Sequence, residues 1–524
     1  MNSSFQGSQS ARAQVAVALG LAAFVVFALF QWQGNKGFSL WDEGYLWYGV
    51  QRVMLGEVPI RDFMSYDPGR YYWAAAFMNL WDDQGIMALR RAVAIFQVIG
   101  LFVGLLLIAQ NSKNQSYAYL LLSAVTLAAW MYPRHKLFDA SLSMLIVGVL
   151  ASLVRRPSTA RYFFTGLCIG LIAIFGRNHG MYGFAGGFAA LIWLSIKRTN
   201  GPPFTESLAF WAAGITAGFM PIVLMALAMP DFAAAFWDSI RFLFETKGTN
   251  LHLPVPWPWR VDFDTLPVEK AVRGFLVGLF FVAIVIFGLL ALAWIFWQRW
   301  NQRKVSPVLC GAAFMALPYA HYAYSRADVG HLALGIFPFL IGSLAFLAAR
   351  PVTAKWPFAL MLFFASIWVM HPFHPGWECS TGQPCVLMEI SGDELRIAPN
   401  TADDVRLLRK LADEYAPEGH NFIATPFWPG AYALLERKSP MWAIYALHRR
   451  NEADQRSEIA RIRAANPGFI LLYDFPLDGR EELRFRNTHP LIHQYIIENY
   501  DLLPSSPNPL YQIFKPRLRI GAAQ

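Results

Sequence analysis

The sequence predicts a polytopic α-helical membrane protein of about eleven transmembrane helices followed by a small α/β soluble domain. Of the 524 residues, 56% are apolar and only 15% are charged, whereas about a quarter of an ordinary soluble protein is charged. A soluble fold could not bury that much apolar surface. From about Pro372 onward, charged segments alternate with short β-branched or aromatic runs, which is typical of a small α/β domain.

Apolar runs of about 15 to 25 residues, the length that crosses a hydrocarbon core, recur before that point. They begin near Val15, Ala92, Tyr117, Asp139, Tyr162, Met181, Ser207, Phe275, Ser306, Leu332 and Trp356. The first run is predicted to be an uncleaved anchor, because it is long and no small-residue cleavage site convincingly precedes Lys36. We therefore predict a transmembrane domain over residues 1–371, with a first outer loop at residues 31–91, and an outer α/β domain over residues 372–524.

Basic residues mark alternate connections between these runs, which is the positive-inside pattern. Examples are Arg155, Arg156, Arg161, Arg299, Arg303, Lys304, Arg350 and Lys355. The pattern predicts a cytoplasmic N-terminus, and an odd number of spans places the C-terminal domain on the outer face. Topology also explains the net charge of +9. Nucleic acid is not a predicted partner, because the basic residues flank apolar runs instead of alternating with stacking aromatic residues.

Strand and helix patterns alternate in the C-terminal domain. Candidate strands are residues 421–425, 441–445, 469–473 and 510–515, and candidate helices are residues 402–415, 430–436, 454–465 and 481–486. Cys379 and Cys385 flank a polar segment and could form a local disulfide, which would need an oxidising compartment. Cys168 and Cys310 lie in apolar runs and are interpreted as core residues.

Ionisable residues stand at the outer helix ends, against the orientation bias. They are Arg134, His135, Lys136, Arg177, His179, Arg326 and His331. Ionisable groups at membrane depth are costly, which favours a functional role. The alternative for any one of them is that it reaches the lipid headgroups without further function.

The densest polar cluster lies in the first outer loop. Asp42 and Glu43 stand directly beyond the first span, and an aromatic stretch with Asp67, Arg70 and Tyr71 follows. Paired carboxylates near a membrane surface are candidates for accepting a proton from a hydroxyl or an amine. The structural alternative is that both acids occupy the first turn of a helix, where they favour its dipole.

The acid pair, the stretch ending in Tyr71, Tyr72 and Trp73, and an Asp139 that opens the fourth span together resemble the C-type (GT-C) membrane glycosyltransferases. This group includes the protein O-mannosyltransferases and the lipid A aminoarabinose transferase, which use sugars carried on polyprenyl phosphates. The resemblance covers most of the chain.

By this resemblance, Asp42 matches the base that deprotonates the acceptor in an inverting displacement. Glu43 supports it, and Asp139 matches a second carboxylate near the donor phosphate. One departure is that Asp67 stands where the lipid A enzymes carry lysine, and Arg70 could replace that charge. The implied partners are a polyprenyl-phosphate sugar donor, membrane lipids, and a glycan, lipid or protein acceptor.

A lipid-phosphate donor requires basic groups at the membrane interface, since its phosphate must be bound and then released. The candidates for binding donor phosphate or sugar are Asp67, Arg70, Tyr71, Arg134, Lys136, Arg177, His179, Arg326, Asp328 and His331. Arg326 and His331 are favoured, with Asp328 between them orienting the arginine. The alternative for that motif is a simple ion pair at a helix end.

A divalent cation, Mg2+ or Mn2+, would be chemically sensible among the carboxylates of Asp42, Glu43, Asp67 and Asp139. Nothing in their spacing requires one, so no cofactor is assigned. The loop at residues 230–273 is rich in proline and tryptophan, and it either anchors at the headgroup level or closes over a lipid donor.

Three alternatives to a glycosyltransferase remain open, and one of them, a non-catalytic scaffold, would not need an acid pair surrounded by basic residues. A transporter or flippase of a polar lipid would also place ionisable groups in membrane helices, but it typically contains internal repeats, and none is evident here. An oligosaccharide ligase or polymerase would work on similar substrates without requiring the acid pair. The loops and the outer cysteine pair favour a bacterial inner membrane with a periplasmic site.

Overall fold

The computed structural model describes residues 2–111, 116–197, 201–246, 250–381, 384–417 and 419–517. The chain divides into two units. We call the first the helical unit; it comprises Met1–Gly34, Arg90–Ala233 and Lys247–Trp377. The second, the α/β unit, comprises Asn35–Leu89, Ala234–Thr246 and Glu378–Gln524.

Helices dominate the described residues. In chain order they are α1 (Asn2–Gln33), α2 (Asp42–Met54), α3 (Pro68–Trp81), α4 (Ile86–Gln110), α5 (Tyr117–Trp130), α6 (Leu137–Arg155), α7 (Thr159–Phe175), α8 (Arg177–Ser195), α9 (Phe204–Ala228), α10 (Phe232–Glu245), α11 (Val268–Trp300), α12 (Pro307–Ser325), α13 (Val329–Gly335), α14 (Phe337–Ala348), α15 (Val352–Met370), α16 (Pro375–Thr381), α17 (Pro399–Tyr415), α18 (Pro429–Leu434), α19 (Glu452–Ala465), α20 (Phe485–Thr488) and α21 (Pro490–Asn499). The strands are β1 (Val386–Ile390), β2 (Asp393–Ile397), β3 (Ile423–Thr425), β4 (Ile470–Tyr473), β5 (Tyr500–Leu502) and β6 (Tyr511–Pro516).

The helical unit is that of a multi-pass membrane protein. Among the described residues, six helical segments are long and apolar enough to cross a membrane: Arg12–Gln33, Ile86–Gln110, Arg134–Arg155, Phe204–Ala228, Val268–Trp300 and Val352–Phe373. The pair α13 and α14, bent by 52°, makes a seventh if it is one broken span. Each of the eleven predicted apolar runs coincides with helix, but the count of eleven spans stays a prediction.

Burial differs sharply among these segments. In the segment that contains α6, 72% of the most apolar window is buried, whereas the figure for α9 is 22%. The candidate residue Asp139 therefore stands on a largely buried helix of the unit. Helix α9, in contrast, presents apolar side chains outward, as a lipid-facing helix does.

Small residues bring α7 and α9 into close contact. A Cβ added at Gly166 or Gly170 of α7, or at Gly214 or Gly218 of α9, would collide with the backbone of the facing helix. This spacing of glycines four residues apart is the pattern that lets membrane helices approach closely.

The α/β unit contains a four-stranded sheet in the order β3-β4-β6-β5. Strands β3 and β4 are parallel, and the other two pairs are antiparallel. Its buried apolar core includes Ile423, Ile462, Ile470, Ile492 and Phe514, so residues of the strands pack against residues of α19 and α21. A separate hairpin pairs β1 with β2 through Ser391 and Gly392, both at positive φ, as a tight hairpin turn requires.

Three of the four candidate strands form, at β3, β4 and β6, but the strand predicted at residues 441–445 was wrong. That segment is irregular, because the backbone N–H groups of Trp442 and Ala443 donate to the carboxylate of Glu458 and not to a neighbouring strand. The helix predicted at residues 481–486 was also wrong. A short 3-10 turn ends there at an extended Arg484, and α20 begins after it.

Candidate active site

The acid pair of the first outer loop opens α2 in the α/β unit. Asp42 and Glu43 both lie in the first turn of the helix, as the structural alternative also requires. Their environments differ: Glu43 is buried, with 6% of its surface exposed, whereas Asp42 is only half-buried. Asp42 is therefore the carboxylate of the pair that a substrate can reach more easily.

The hydroxyl of Tyr445 contacts this carboxylate. It donates a hydrogen bond to Asp42 Oδ1 over 3.1 Å. Tyr445 also packs against Tyr45, with ring centroids 5.5 Å apart, and Tyr45 meets the ring of Tyr66 edge-on at 4.8 Å. Desolvation raises the pKa of Tyr45 well above its ordinary value, so the phenol that packs against Tyr445 is neutral.

The aromatic stretch of the same loop forms the start of α3. Asp67 is extended and precedes the helix, which begins at Pro68. Arg70 is buried, and its guanidinium carbon lies 4.7 Å above the Tyr66 ring. Tyr71 is fully buried, and its hydroxyl accepts a hydrogen bond from the Tyr66 N–H at 3.0 Å. The structure thus gives Tyr71 a packing role and holds Arg70 against an aromatic face.

In the helical unit, Asp139, His179 and Tyr319 form a buried hydrogen-bonded chain. His179 Nε2 lies 2.7 Å from Asp139 Oδ1, and His179 Nδ1 lies 2.7 Å from the Tyr319 hydroxyl. The three side chains are 1%, 4% and 0% exposed for His179, Asp139 and Tyr319. Three helices, α6, α8 and α12, each contribute one member, so the predicted neighbours Asp139 and His179 are brought together.

A second cluster of the helical unit joins Arg326, Asp328 and His331. Arg326 Nε donates to Asp328 Oδ2 at 2.8 Å, and the His331 ring nitrogen Nδ1 lies 2.9 Å from Asp328 Oδ1. Arg326 Nη1 also donates to the carbonyl of Leu251 at 3.0 Å. Asp328 orients both basic groups, as the sequence predicted for the arginine. Its side chain also caps α13 by accepting the His331 N–H at 2.8 Å.

Tyr322 lies between these two clusters. Its ring meets that of His179 edge-on at 5.6 Å and that of His331 at 5.9 Å. The remaining ring nitrogen of His331, Nε2, is buried and has no hydrogen-bond partner within the described residues. The two clusters are consequently neighbours, with the ring of Tyr322 in contact with a histidine of each.

The other predicted basic residues lie at the same helix ends. Arg134 Nη2 donates at 3.0 Å to the carbonyl of Gln33, the last residue of α1. Lys136 is close enough to His331 to interact with it electrostatically. Arg177 is the first residue of α8, two positions before His179.

Three residues of these clusters were missed from the sequence. Tyr319 and Tyr322 lie in an apolar run, and a hydroxyl-bearing ring in a membrane helix is a weak signal that could have marked them. Tyr445 carried no signal, because its partner Asp42 lies 403 positions away in the chain.

Within the described ranges, no three His, Cys, Asp or Glu side chains are grouped so as to hold a metal ion. The binding of Mg2+ or Mn2+ stays a prediction of the sequence, because Mg2+ is usually held by one or two carboxylates together with substrate phosphates and waters. No step of the chemistry is assigned to a metal.

No protein-family model matches the sequence, and no curated protein is similar to it at a significant level. Solved structures are similar in fold. ArnT from Cupriavidus metallidurans bound to undecaprenyl phosphate has a TM-score of 0.54 at 12% identity, over 98% of this chain and 99% of that chain. The apo state of the same ArnT has a TM-score of 0.51 at 13% identity, over 96% and 98%.

The oligosaccharyltransferase of Archaeoglobus fulgidus in its apo form is similar at a TM-score of 0.46 and 13% identity, over 97% of this chain and 75% of that chain. The ArnT comparisons extend over nearly the whole of both chains. The chain has the GT-C fold of membrane glycosyltransferases, so the fold that the sequence resemblance predicted is confirmed.

Proposed function

We propose that this chain is a membrane glycosyltransferase that moves a sugar from a polyprenyl-phosphate donor to an acceptor on the periplasmic face. The observation that carries the proposal is the full-length fold similarity to ArnT, a lipid A aminoarabinose transferase whose structure was solved with undecaprenyl phosphate. The half-buried Asp42 at the start of α2 supplies the carboxylate that such a reaction needs.

The proposed reaction is a direct displacement. Asp42 accepts the proton of the acceptor hydroxyl or amine while that oxygen or nitrogen attacks the anomeric carbon of the donor sugar. The bond between the anomeric carbon and the phosphate oxygen breaks, and polyprenyl phosphate leaves with the bonding pair. A single displacement inverts the anomeric configuration.

Donor binding is assigned to the helical unit. Arg326 and His331 are held by the single carboxylate of Asp328, so both are oriented before a ligand arrives. An oriented cation binds phosphate oxygens through charge-assisted hydrogen bonds at little further entropic cost. His331 Nε2 is buried and without a partner in the described part of the chain. Because the Nδ1–H of His331 is directed at Asp328, Nε2 of the neutral ring is an acceptor, and we assign it to a hydroxyl of the donor sugar.

Asp139 is assigned to the support of that donor site. Its carboxylate and the Tyr319 hydroxyl hold both ring nitrogens of His179, so rotation of the imidazole would break both hydrogen bonds. Through Tyr322 this fixed imidazole packs next to His331. We infer that the buried chain keeps the donor-binding face rigid, which is the function that supporting hydrogen bonds serve around other sites.

Two features support a periplasmic location. Basic residues at alternate helix connections favour an outer C-terminal region. Cys379 and Cys385 form a disulfide with a Cα–Cα distance of 5.1 Å, and such a bond persists in an oxidising compartment such as the periplasm. Both support a bacterial inner-membrane protein whose α/β unit lies outside the cytoplasm.

The test is sugar transfer in proteoliposomes supplied with labelled polyprenyl-phosphate sugars and an extract of bacterial membranes as the acceptor source. Asp42→Asn is compared with wild type and with Asp403→Asn, which alters a carboxylate of α17 whose side chain is 72% exposed. We expect wild type and Asp403→Asn to transfer sugar and Asp42→Asn to lose at least about a hundredfold in rate.

Undiminished transfer by Asp42→Asn would remove Asp42 as the base. Absence of transfer from every donor tested, together with movement of intact donor across the bilayer, would favour a lipid flippase. Formation of products that contain several donor sugars in one chain would favour a polymerase.

A further inference from the structure

The hydroxyl of Tyr445 holds one oxygen of the Asp42 carboxylate, and this contact restricts the orientation of the carboxylate. Asp42 is half-buried at the first turn of α2, where a short side chain in contact with solvent can rotate. Because Oδ1 accepts the Tyr445 proton at 3.1 Å, rotation about the last side-chain bond would break a hydrogen bond. Because that hydrogen bond lowers the basicity of Oδ1, Oδ2 is the oxygen better suited to accept a proton from a substrate.

Tyr445 itself is held firmly. Only 8% of its surface is exposed, and its ring packs against Tyr45 and Phe427. A phenol buried on its ring face and aimed by packing has few rotamers left, so its hydroxyl can determine where the Asp42 carboxylate lies.

The backbone before Tyr445 is immobilised by an unusual arrangement. Glu458 of α19 is 5% exposed, and its carboxylate accepts the N–H groups of Trp442 at 3.0 Å and Ala443 at 3.2 Å. Burial raises the pKa of Glu458, while the ion pair with Arg461 and these two N–H groups oppose that effect. Burying a carboxylate is costly, and here the buried group serves to hold two backbone N–H groups that no strand neighbour satisfies.

The first outer loop secures the same segment from the other side. The Trp442 carbonyl accepts from the Met64 N–H at 2.9 Å, and the Trp442 indole donates to the Ile60 carbonyl at 3.1 Å. One residue beyond Tyr445, the Ala446 N–H donates to the carbonyl of Pro426 at 3.0 Å. Hydrogen bonds therefore hold the backbone on both sides of Tyr445.

From this geometry we propose that Tyr445 is a positioning residue for the proposed base, orienting Asp42 so that Oδ2 faces the acceptor. The inference rests on the proposed function of Asp42. Tyr445 does not exchange a proton with substrate; it contributes by keeping the carboxylate in one rotamer. The region of the chain that follows the transmembrane helices thus completes the catalytic group of the first outer loop.

The test compares Tyr445→Phe with wild type in the transfer assay described above. Phenylalanine keeps the ring packing and removes only the hydroxyl, so we expect kcat to fall by about tenfold or more, because misplaced catalytic groups lose rate at that scale. The KM for the donor should stay within about twofold of wild type, since the donor contacts are unchanged. Tyr473→Phe, in a ring that meets Trp41 edge-on at 5.6 Å, is the matched control and should transfer at the wild-type rate.

A double variant separates positioning from general stability. Asp42→Glu moves the carboxylate by one methylene and displaces it from Tyr445, so adding Tyr445→Phe to Asp42→Glu should cost less than about twofold in kcat. Equal losses in both backgrounds would overturn the proposal, as would a wild-type kcat for Tyr445→Phe. If Asp42→Asn abolishes transfer while Tyr445→Phe is fully active, only the positioning inference fails; if Asp42→Asn is active, the proposed function of Asp42 fails.

Discussion

Gly44 of α2 and Gly430 of α18 lie backbone to backbone. A Cβ on Gly430 would come within 2.9 Å of the Gly44 Cα and of the Leu40 carbonyl oxygen, and the Gly430 N–H donates to that same carbonyl at 2.9 Å. Gly44 directly follows the Asp-Glu pair. The contact therefore joins the first outer loop to the segment after β3 within the α/β unit, and it leaves no room for a side chain.

Gly44→Ala should destabilise the protein by about 1 to 3 kcal/mol, because a methyl group forced against backbone cannot be relieved by a rotamer change. Gly20→Ala is the control, since a Cβ there meets nothing within 4 Å. The apparent melting temperature in detergent measures both. A Gly44→Ala protein as stable as Gly20→Ala would show that the two backbones separate readily.

Substitutions in the buried hydrogen-bonded chain through His179 should destabilise the protein by different amounts. His179→Ala removes two hydrogen bonds of 2.7 Å and should cost about 3 kcal/mol or more, whereas Tyr319→Phe removes one and should cost about 1 kcal/mol. Ser141→Ala on α6 is the control, because the Ser141 hydroxyl is buried without a hydrogen-bond partner in the described residues. Thermal unfolding in detergent should rank the three variants in that order, and a loss in Ser141→Ala as large as in His179→Ala would contradict it.

The half-buried carboxyl group of Asp404 should make the stability of the protein depend on pH. Desolvation raises the pKa of Asp404 to about 6, although the Tyr511 hydroxyl donates to it at 2.8 Å. An aspartate in an unfolded chain has a pKa of about 3.9, so the folded state holds this proton more tightly. Its contribution to stability is fully present below about pH 4 and is lost as the pH rises through about 6.

Asp404→Asn cannot ionise and still accepts the Tyr511 hydrogen bond. It should exceed wild type in stability by about 1 kcal/mol at pH 8, after discounting for solvent screening of this half-buried group, and the difference should vanish below about pH 4. Asp413→Asn, an exposed position on the same helix, should show no such trend. Melting temperatures across that pH range provide the measurement, and a constant difference at every pH would refute the interpretation.

The disulfide tests the predicted topology. In spheroplasts with an accessible outer face, a membrane-impermeant maleimide should label Cys379 and Cys385 only after mild reduction, because they are bonded to each other. The double variant Cys379→Ser, Cys385→Ser should lose that label, since the remaining Cys168 and Cys310 lie on helices of the helical unit. Labelling that requires lysis of the spheroplasts would place the α/β unit on the cytoplasmic side.

From the sequence by itself, the membrane class and, through the family resemblance, the GT-C fold were predicted correctly, and Asp42 and Asp139 were selected as candidate site residues. Apolar runs and short motifs are local patterns, and each depends only on residues close together in the chain. For the same reason β3, β4 and β6 were predicted correctly, each as a short apolar run. The contact of Asp328 with Arg326 and His331 could also be predicted from the sequence, because these partners lie two and three positions away.

Only the tertiary structure decided which side chains those acids contact. The Tyr445 hydroxyl reaches Asp42 across 403 positions, and Tyr319 joins Asp139 through His179 on a third helix. Neither contact leaves a pattern in the sequence, since packing of distant segments decides it. The irregular conformation before Tyr445 has the same cause: a buried carboxylate from α19 satisfies its backbone N–H groups, and this tertiary interaction overrides the strand propensity of the segment.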